Sequence, residues 1–213
     1  MKTFRSNGKL LITGEYVVLD GAKALAIPTK YGQSLTVEQN TSHSIIWKSY
    51  NELDRIWFED EFLINDASAR LNLKATNYTD ISKRLIQILK TTYGLNPKFL
   101  NSKQGYTITT HQDFNRLWGL GTSSTLVNNI ADWANIDAYE LLEKTFGGSG
   151  YDIACAQQNT PITYQLNHRQ KPSVEAVEFN PSFKDQLYFV YLNQKQNSRE
   201  GIAAYKKNAK IDA

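Results

Sequence analysis

The spacing of apolar residues follows the two-residue period of β-strands over the first forty residues of the chain. Apolar runs rich in β-branched and aromatic residues alternate with polar positions, as in half-buried strands. The expected strands are Leu10–Ile12, Tyr16–Leu19, Ala24–Ile27 and Ser34–Glu38. The dipeptide Asp20-Gly21 predicts a hairpin turn, and Pro28 is expected to end the third strand.

Three further short strands are predicted before the period changes. They are Ile45–Trp47, Arg55–Phe58 and Phe62–Ile64. The acidic run Glu59–Glu61 is expected to form the turn between the last two. Its carboxylates could bind a metal ion, but a solvated turn is the favoured interpretation.

The period then becomes helical. Ile81, Leu85, Ile88 and Leu89 recur at the spacing of one helix face. Three more helices are expected after a strand at Tyr106–Thr110. The first helix is expected to be capped by Thr79 or Asp80 and ended by Gly94. The second carries Leu126 and ends near Asn135, and the third begins at Asp137 with Glu140 in a capping box. Gly147–Gly150 opens the fourth.

The last part of the chain contains the most apolar run of the sequence. Ile162–Leu166 predicts a strand, and Leu187–Leu192 predicts a second one that is buried on both faces. A final helix is expected from Ser198 through Ala209. Lys195 and Arg199 follow the apolar run and could meet an acidic substrate, although a solvated loop explains them equally well.

Composition restricts the class of protein more than it identifies a function. The 213 residues carry 24 basic and 21 acidic side chains, and 41% of residues are hydrophobic, which is typical of a globular fold. The charges are scattered, which argues against a nucleic-acid partner, and no apolar run approaches the roughly 20 residues of a membrane span. Cys155 is the only cysteine, so an internal disulfide is excluded, and we expect a cytoplasmic protein.

The segment Trp118–Leu126 has the composition of a phosphate-binding loop. Gly119 and Gly121 bracket Leu120, and four hydroxyl residues, Thr122 to Thr125, lead into the second helix. Glycines allow the backbone to approach a ligand, and the start of a helix presents free N–H groups and positive potential to anions. Hydroxyls there can cap the helix, bind phosphate oxygens or ligate Mg²⁺, so a simple helix cap is the alternative interpretation.

A second glycine-rich segment opens the fourth helix. Phe146–Asp152 places Asp152 in a first helical turn, where the helix dipole favours a carboxylate. Asp152 is therefore either a capping residue or a functional carboxylate at a glycine-lined opening. Near the N-terminus, Lys9 lies between Gly8 and Leu10, and its spacing alone favours an ordinary solvated lysine over a phosphate ligand.

These segments together resemble three ordered motifs of the GHMP kinases, which include galactokinase, homoserine kinase, mevalonate kinase and phosphomevalonate kinase. The first motif is similar to Gly8 through Leu25, the phosphate loop to Gly119–Ser123, and the catalytic segment to Ser149–Asp152. Gly150–Ala154 also matches the GYDIA-type branch of that family. The resemblance implies an α+β N-terminal domain with a mixed sheet and a left-handed βαβ crossover, which periodicity could not have predicted.

The resemblance also implies a function and a set of site residues. It implies transfer of a phosphoryl group from ATP, with Mg²⁺, to the hydroxyl or phosphate of a small molecule. The implied ATP-binding residues are Gly119, Leu120, Gly121, Thr122, Ser123 and Ser124. Asp152 would accept the substrate proton beside Lys9, and Ser123 would ligate Mg²⁺ with Glu143, or alternatively Glu140. Glu15, Tyr16, Ser149 and Gly150 are the expected substrate contacts.

The chain also departs from the family pattern. Asn115 stands where the family usually has proline, and Tyr16 stands where many members have histidine. The third, glycine-rich family motif is absent, because Gly201 is the only glycine after Gly150. We therefore expect residues 1–190 to form the kinase N-terminal domain and residues 191–213 to begin a truncated ferredoxin-like domain.

The sequence does not decide which substrate is used or whether the chain is catalytically active. Mevalonate or phosphomevalonate, in isoprenoid synthesis, is the leading expectation. A sugar or amino-acid alcohol, or a non-catalytic nucleotide-binding remnant, is the alternative. A homodimer is the working expectation for the oligomeric state.

Overall fold

A computed structural model describes residues 1–65, 71–100, 104–167, 171–194 and 198–208. The strands are β1 (Lys2–Thr13), β2 (Ala24–Asn40), β3 (Ser44–Tyr50), β4 (Ile56–Asn65), β5 (Asn72–Ala75), β6 (Gly105–Gln112), β7 (Ile162–Gln165) and β8 (Ser173–Ala176). The helices are α1 (Asp80–Leu95), α2 (Thr122–Ala134), α3 (Ala138–Thr145), α4 (Tyr151–Gln157) and α5 (Ser198–Asn208).

The described strands form one mixed sheet in the order β5-β4-β3-β6-β2-β7-β8, with β1 paired to β2. Among the strands that the structure describes, β3 and β6 are the only parallel pair, and the other pairings are antiparallel. The long strand β2 organises the sheet, because its Gln33–Asn40 half pairs with β6 and its Ala24–Ala26 end pairs with β7. The predicted α+β class with a mixed sheet is confirmed.

Helices α1, α2 and α3 share one hydrophobic core with the sheet. Ile45 and Trp47 of β3 and Ile108 of β6 are almost fully buried against Ile88 of α1 and Ile130 of α2. The helical spacing predicted from the sequence therefore identified the buried positions Leu85, Ile88 and Leu89 of α1 correctly, whereas Ile81, at the start of the same face, is exposed. Among the helices in the described ranges, none is both long and apolar enough to cross a bilayer.

Helix boundaries follow local signals closely. The Thr79 hydroxyl accepts the Ser82 amide at the start of α1, and the Asp137 carboxylate accepts the Tyr139 and Glu140 amides at the start of α3. Asn135 adopts a left-handed conformation, with φ 52°, and ends α2. These caps confirm the predicted helix starts at α1 and α3 and the predicted end of α2. Ser198–Asn208 agrees with the expected last helix, whereas Ala209 lies outside the described residues.

Several strand predictions near the N-terminus were wrong in detail. Tyr16–Leu19 is not a strand, because Val17–Asp20 forms a single 3₁₀ turn that Gly21 ends at φ 87°. Pro28 does not end a strand either. It lies within the 17-residue β2 opposite Lys9, close to a register shift between Asn7 and Gly8 that relaxes the regular ladder.

The acidic run in β4 was also misassigned as a turn. Glu59–Glu61 continues the strand, which spans Ile56–Asn65. Asp60 is buried and accepts hydrogen bonds from the Ser82 hydroxyl and the Asn77 amide. This carboxylate therefore links β4 to α1, which its acidic neighbours in the sequence did not indicate.

The strongest predicted strand is absent from the sheet. Leu187–Leu192 has no regular secondary structure, and all six of its side chains are exposed. Tyr191 stacks on Trp118, with ring centroids 5.0 Å apart. The apolar pattern predicted a strand that is buried on both faces, but none of the described strands pairs with Leu187–Leu192.

Candidate active site

The phosphate-loop candidate has the geometry expected of an anion cradle. Gly119 and Gly121 adopt left-handed conformations, with φ 75° and 93°, and Gly121 is the residue before α2. The Thr125 amide makes the first helical hydrogen bond, to the Gly121 carbonyl at 3.0 Å. No side chain caps this helix, so the amides of Thr122, Ser123 and Ser124 are free of helical acceptors and available to an anion.

Strand β1 fixes this loop through its backbone. The Lys9 amide donates to the Leu120 carbonyl at 3.0 Å. A Cβ atom on Gly8 would lie 2.8 Å from the same carbonyl oxygen, so glycine permits this close approach. Gly8-Lys9 and the phosphate-loop candidate, which lie more than 100 residues apart in the sequence, are therefore in direct contact.

A buried polar network holds α2 on the sheet beneath the loop. The Ser6 hydroxyl donates to the Asn129 amide oxygen at 2.8 Å and accepts from Asn128 at 2.9 Å. The Thr125 hydroxyl donates to Gln33 at 2.7 Å. Such networks hold an element rigidly when their members are hydrogen-bonded. Sequence reasoning missed these residues, because partners 123 positions apart leave no local signal.

The second glycine segment positions Asp152 at the start of α4. Gly150 precedes the helix with φ 85°, and one Asp152 carboxylate oxygen accepts the Ile153 amide at 3.1 Å. Burial raises the pKa of Asp152, although Lys9, these backbone amides and the Ser124 hydroxyl partly oppose that rise. A carboxylate whose pKa is moved towards neutrality suits general-base chemistry better than a solvated one.

Lys9 is brought to this carboxylate by the fold. Burial by itself lowers the pKa of Lys9, but attraction to Tyr151, Asp152 and Glu15 outweighs it, and the pKa is raised. Lys9 is thus a half-buried cation at neutral pH. The alternative interpretation of Lys9 as a solvated lysine is wrong for this fold.

The two serines at the start of α2 have different surroundings. Ser124 is buried, its hydroxyl donates to the Gly121 carbonyl at 2.9 Å, and it lies near enough to Asp152 to lower the pKa of that carboxyl. Ser123 is partly exposed at the open side of the helix start. Ser124 therefore links the phosphate loop to the catalytic candidate, a role that the sequence did not separate from those of its neighbours.

The side chains of Glu143 and Glu140, predicted to bind Mg²⁺ together with Ser123, are held by fewer contacts than Asp152. Glu143 is exposed on α3, and the Glu140 carboxylate pairs with Lys144 at 3.7 Å. No three acidic, histidine or cysteine side chains cluster into a metal site within the described ranges. Hydroxyl and carboxylate oxygens are donor types that Mg²⁺ accepts. No contact among the described residues joins Ser123 to Glu143 or Glu140, so this ligand set stays a prediction.

The residues predicted to contact substrate fall into two groups. Glu15 is exposed, and its negative charge helps to raise the pKa of Lys9. Tyr16 has the unusual φ of 62° and stacks on Tyr205, with ring centroids 5.6 Å apart. The other two are held by packing. The Ser149 carbonyl accepts the Tyr164 hydroxyl, and a Cβ on Gly150 would lie 2.9 Å from Tyr139.

Three further sequence features have clear surroundings. Asn115 accepts the Leu117 amide at 3.0 Å and donates to Glu52 at 2.8 Å, so it fixes the segment before the loop in the absence of proline. Cys155 is buried, and burial raises the pKa of its thiol to about 12, which agrees with its interpretation as a small core residue. Lys195 and the side chain of Arg199 lie outside the described residues.

Comparison with known proteins gives a fold match only. No family model matches the chain, and no curated protein sequence matches it. Among solved structures, mevalonate kinase from Methanococcus jannaschii has a TM-score of 0.57 at 14% identity over 84% of this chain and 56% of its own. A heptose 1-phosphate kinase from Bacteroides thetaiotaomicron has a TM-score of 0.58 at 18% identity over 84% of this chain and 60% of its own.

A third neighbour comes with ligands in its structure. Streptococcus pneumoniae phosphomevalonate kinase, solved with phosphomevalonate and AMPPNP, has a TM-score of 0.54 at 20% identity over 84% of this chain and 59% of its own. The chain thus spans a little under two thirds of the length of each of these neighbours. At these identities the likeness defines the fold, and the chain has the α+β fold of the N-terminal domain of GHMP-type kinases.

Proposed function

We propose that this protein is an ATP-dependent small-molecule kinase that phosphorylates mevalonate or phosphomevalonate. The observation that carries the proposal is the convergence of Lys9 and Asp152 beside an uncapped, glycine-lined helix start. Solved neighbours described as mevalonate and phosphomevalonate kinases support the choice of acceptor. When bound, ATP supplies the phosphoryl group and Mg²⁺ neutralises its phosphates.

The chain's own residues have distinct tasks in this proposal. The amides of Gly121–Ser124 hold phosphate oxygens at the positive end of α2. Asp152 accepts the proton of the acceptor hydroxyl, or orients an acceptor phosphate oxygen, and the charge of Lys9 stabilises the negative charge that develops during transfer. Ser123 is the proposed protein ligand of Mg²⁺, with Glu143 or Glu140 as its carboxylate partner.

ADP release over four acceptors tests the proposed substrate class. With MgATP, we expect turnover on mevalonate or phosphomevalonate and little on homoserine or galactose. Turnover only on galactose or homoserine would replace the acceptor while keeping the kinase function. An absence of turnover together with undetectable ATP binding by calorimetry would overturn the proposal.

A second candidate is nucleotide binding without transfer. It is favoured by the exposed segment Leu187–Leu192, since a complete catalytic unit is expected to cover six consecutive apolar side chains. Tight MgATP binding without turnover on any acceptor would support it. The division into residues 1–190 and 191–213, and the homodimer, stay predictions.

A further inference from the structure

The turn that joins β3 to β4, residues 51–55, is held in shape by its own hydrogen bonds. The Asn51 amide donates to the Arg55 carbonyl at 3.0 Å, and the Asn51 side-chain oxygen accepts the amides of Leu53 and Arg55 at 3.0 Å and 2.9 Å. Asp54 adopts a left-handed conformation within the turn, with φ 56°. Because an asparagine side chain that bonds the backbone ahead of it stabilises a turn, this turn is a defined support for its own side chains.

Two acidic side chains of this turn reach residues at the end of β6 and just beyond it. The Glu52 carboxylate accepts a hydrogen bond from the Asn115 side-chain amide at 2.8 Å, and Asp54 is hydrogen-bonded to His111 at 2.6 Å. The Asp54 side chain is 86% exposed, whereas Glu52 and Asn115 are both partly buried. Since contacts between exposed charged groups contribute little, we expect the Glu52–Asn115 bond to contribute more than the Asp54–His111 bond.

The Asn115 side chain connects this contact to the phosphate-loop candidate. Its amide nitrogen donates to Glu52, and its amide oxygen accepts the Leu117 backbone amide at 3.0 Å. That second bond caps the single 3₁₀ turn Arg116–Trp118, which ends at Gly119, the first glycine of the loop. A carboxylate only accepts hydrogen bonds, so it selects the amide nitrogen and leaves the amide oxygen for the cap.

The beginning of the same segment has anchors of its own. The Asp113 amide donates to the Gly32 carbonyl at 3.0 Å, and the Asp113 carboxylate accepts the Gly32 amide at 3.2 Å and pairs with Arg5 at 2.5 Å. These contacts do not involve the turn between β3 and β4. A change at Glu52 should therefore leave the start of the segment in place and act on the part next to Gly119.

We propose that Glu52 is a positioning residue for phosphate binding, which fixes the Asn115 amide and through it the entry to the glycine loop. This inference rests on the proposed kinase function. The property that Glu52 supplies is a hydrogen-bond acceptor in the right place, because its negative charge by itself would repel phosphate groups. A glutamine can supply the same acceptor, whereas an alanine cannot.

The test compares Glu52→Ala with Glu52→Gln and uses Glu59→Ala as the matched control. Glu59 is an exposed glutamate of β4, so its replacement deletes the same group at a different position. By calorimetry with MgATP, we expect Glu52→Ala to raise the Kd about fivefold, the loss of about one hydrogen bond, and the other two variants to stay within about twofold. The KM for ATP should follow the Kd. The kcat at saturating ATP should stay within about twofold, because Lys9 and Asp152 are unchanged.

An exchange of the two partners tests the hydrogen bond itself. Asn115→Asp alone would set two carboxylates against each other, and we expect it to weaken ATP binding about tenfold. The double variant Glu52→Gln/Asn115→Asp again pairs a donor with an acceptor, and one Asp oxygen is left for the Leu117 amide. It should bind ATP within about threefold of the wild type. A double variant that binds as weakly as Asn115→Asp would overturn the proposal.

NMR separates this inference from the kinase proposal. In ¹⁵N-labelled protein without nucleotide, Glu52→Ala should shift the Asn115 side-chain amide and the backbone amides of Leu117 and Gly119, and Glu59→Ala should shift none of them. A wild type that neither binds nor uses ATP would overturn the kinase proposal, and the shifts would still test the Glu52 contact. An unshifted Gly119 amide, or an unchanged Kd for ATP in Glu52→Ala, would overturn the positioning role.

Discussion

The cleft around Lys9 and Asp152 and the apolar segment Leu187–Leu192 differ in how fully the rest of the chain surrounds them. Residues of β1, α2 and α4 meet in the cleft, and a buried polar network supports it from below. In the apolar segment, Tyr188 is 85% exposed and Leu192 is 80% exposed. The stacking of Tyr191 on Trp118 joins the two regions.

This difference shows that a segment's own composition does not decide its burial. The cleft contains charged groups that normally stay in water, and Lys9 and Asp152 are half-buried there because hydrogen bonds and opposite charges compensate them. The apolar segment has a composition typical of a core strand, and it remains exposed because no described strand offers it a partner edge. The following predictions test this contrast, from the largest expected effect to the smallest.

The largest effect is expected from removing the charge of Asp152. Asp152→Asn should lower kcat about 1000-fold, the scale of general-base catalysis, while ATP still binds. Asp185→Asn is the matched change beside the apolar segment, on an exposed residue, and should leave kcat within about twofold. ADP-release assays and ATP calorimetry measure both. Equal kcat values for the two variants would remove Asp152 from the chemistry.

The next largest difference between the two regions is expected in the free energy of unfolding. Leu141→Ala, at a fully buried site, should lower the free energy of unfolding by about 2–5 kcal/mol. Leu192→Ala deletes the same atoms from an exposed side chain and should change it by no more than about 0.5 kcal/mol. Urea titrations of both variants give the comparison. A large loss in Leu192→Ala would mean that the apolar segment is buried in solution.

A smaller effect is expected from adding one methyl group to the phosphate loop. Gly121→Ala should weaken ATP binding about tenfold, because its Cβ would lie 2.8 Å from the Ser124 hydroxyl oxygen at a φ of 93°. Gly119→Ala shares the left-handed conformation but has nothing within 4 Å of its Cβ. Calorimetry should therefore show a smaller loss for Gly119→Ala. The reverse order would show that the close approach of Gly121 to Ser124 does not matter for ATP binding.

The pH dependence of kcat/KM should report the titration of the half-buried Asp152 carboxylate. Burial raises the pKa of Asp152 above its ordinary value of 3.8, and the ionised form is the active base. Activity should therefore fall as the pH decreases through a midpoint higher than 3.8. Asp152→Asn should abolish this acidic limb in its residual activity. A wild-type midpoint at or below 3.8 would show that Asp152 is solvated or tightly ion-paired.

The smallest change is expected at Cys155. Because burial raises its thiol pKa to about 12, almost none of the thiol is ionised at pH 8. Folded protein should therefore not react with a disulfide reagent at that pH, and the thiol should react fully after denaturation. Rapid reaction of the folded protein would show that the core behind Asp152 opens readily.

The sequence anticipated those parts of the fold that depend on near neighbours. Caps at Thr79 and Asp137 and the apolar face of α2 were correct, because each is decided within one or two helical turns. The sequence-based prediction failed where residues distant in the sequence determine the local structure. Glu59–Glu61 became strand because β3 pairs alongside it and Ser82 satisfies Asp60, and Pro28 was tolerated within β2 near a register shift.

Sequence by itself determined the chemistry available at the candidate site. It fixed the glycines that permit positive φ at Gly119, Gly121 and Gly150, the hydroxyls at the start of α2, and a carboxylate in the first turn of α4. These are local properties, because backbone conformation and helix dipoles act over a few residues. They identified the same segments before any contact between them was known.

Only the tertiary structure decided how these groups work together. It placed Lys9 against Tyr151 and near Asp152, and it made Ser124 the link between the loop and the carboxylate. It also left Leu187–Leu192 exposed. The physical reason is common to all three outcomes: charge interaction, hydrogen bonding and burial depend on which distant segments are brought together, and residue order does not specify those distances.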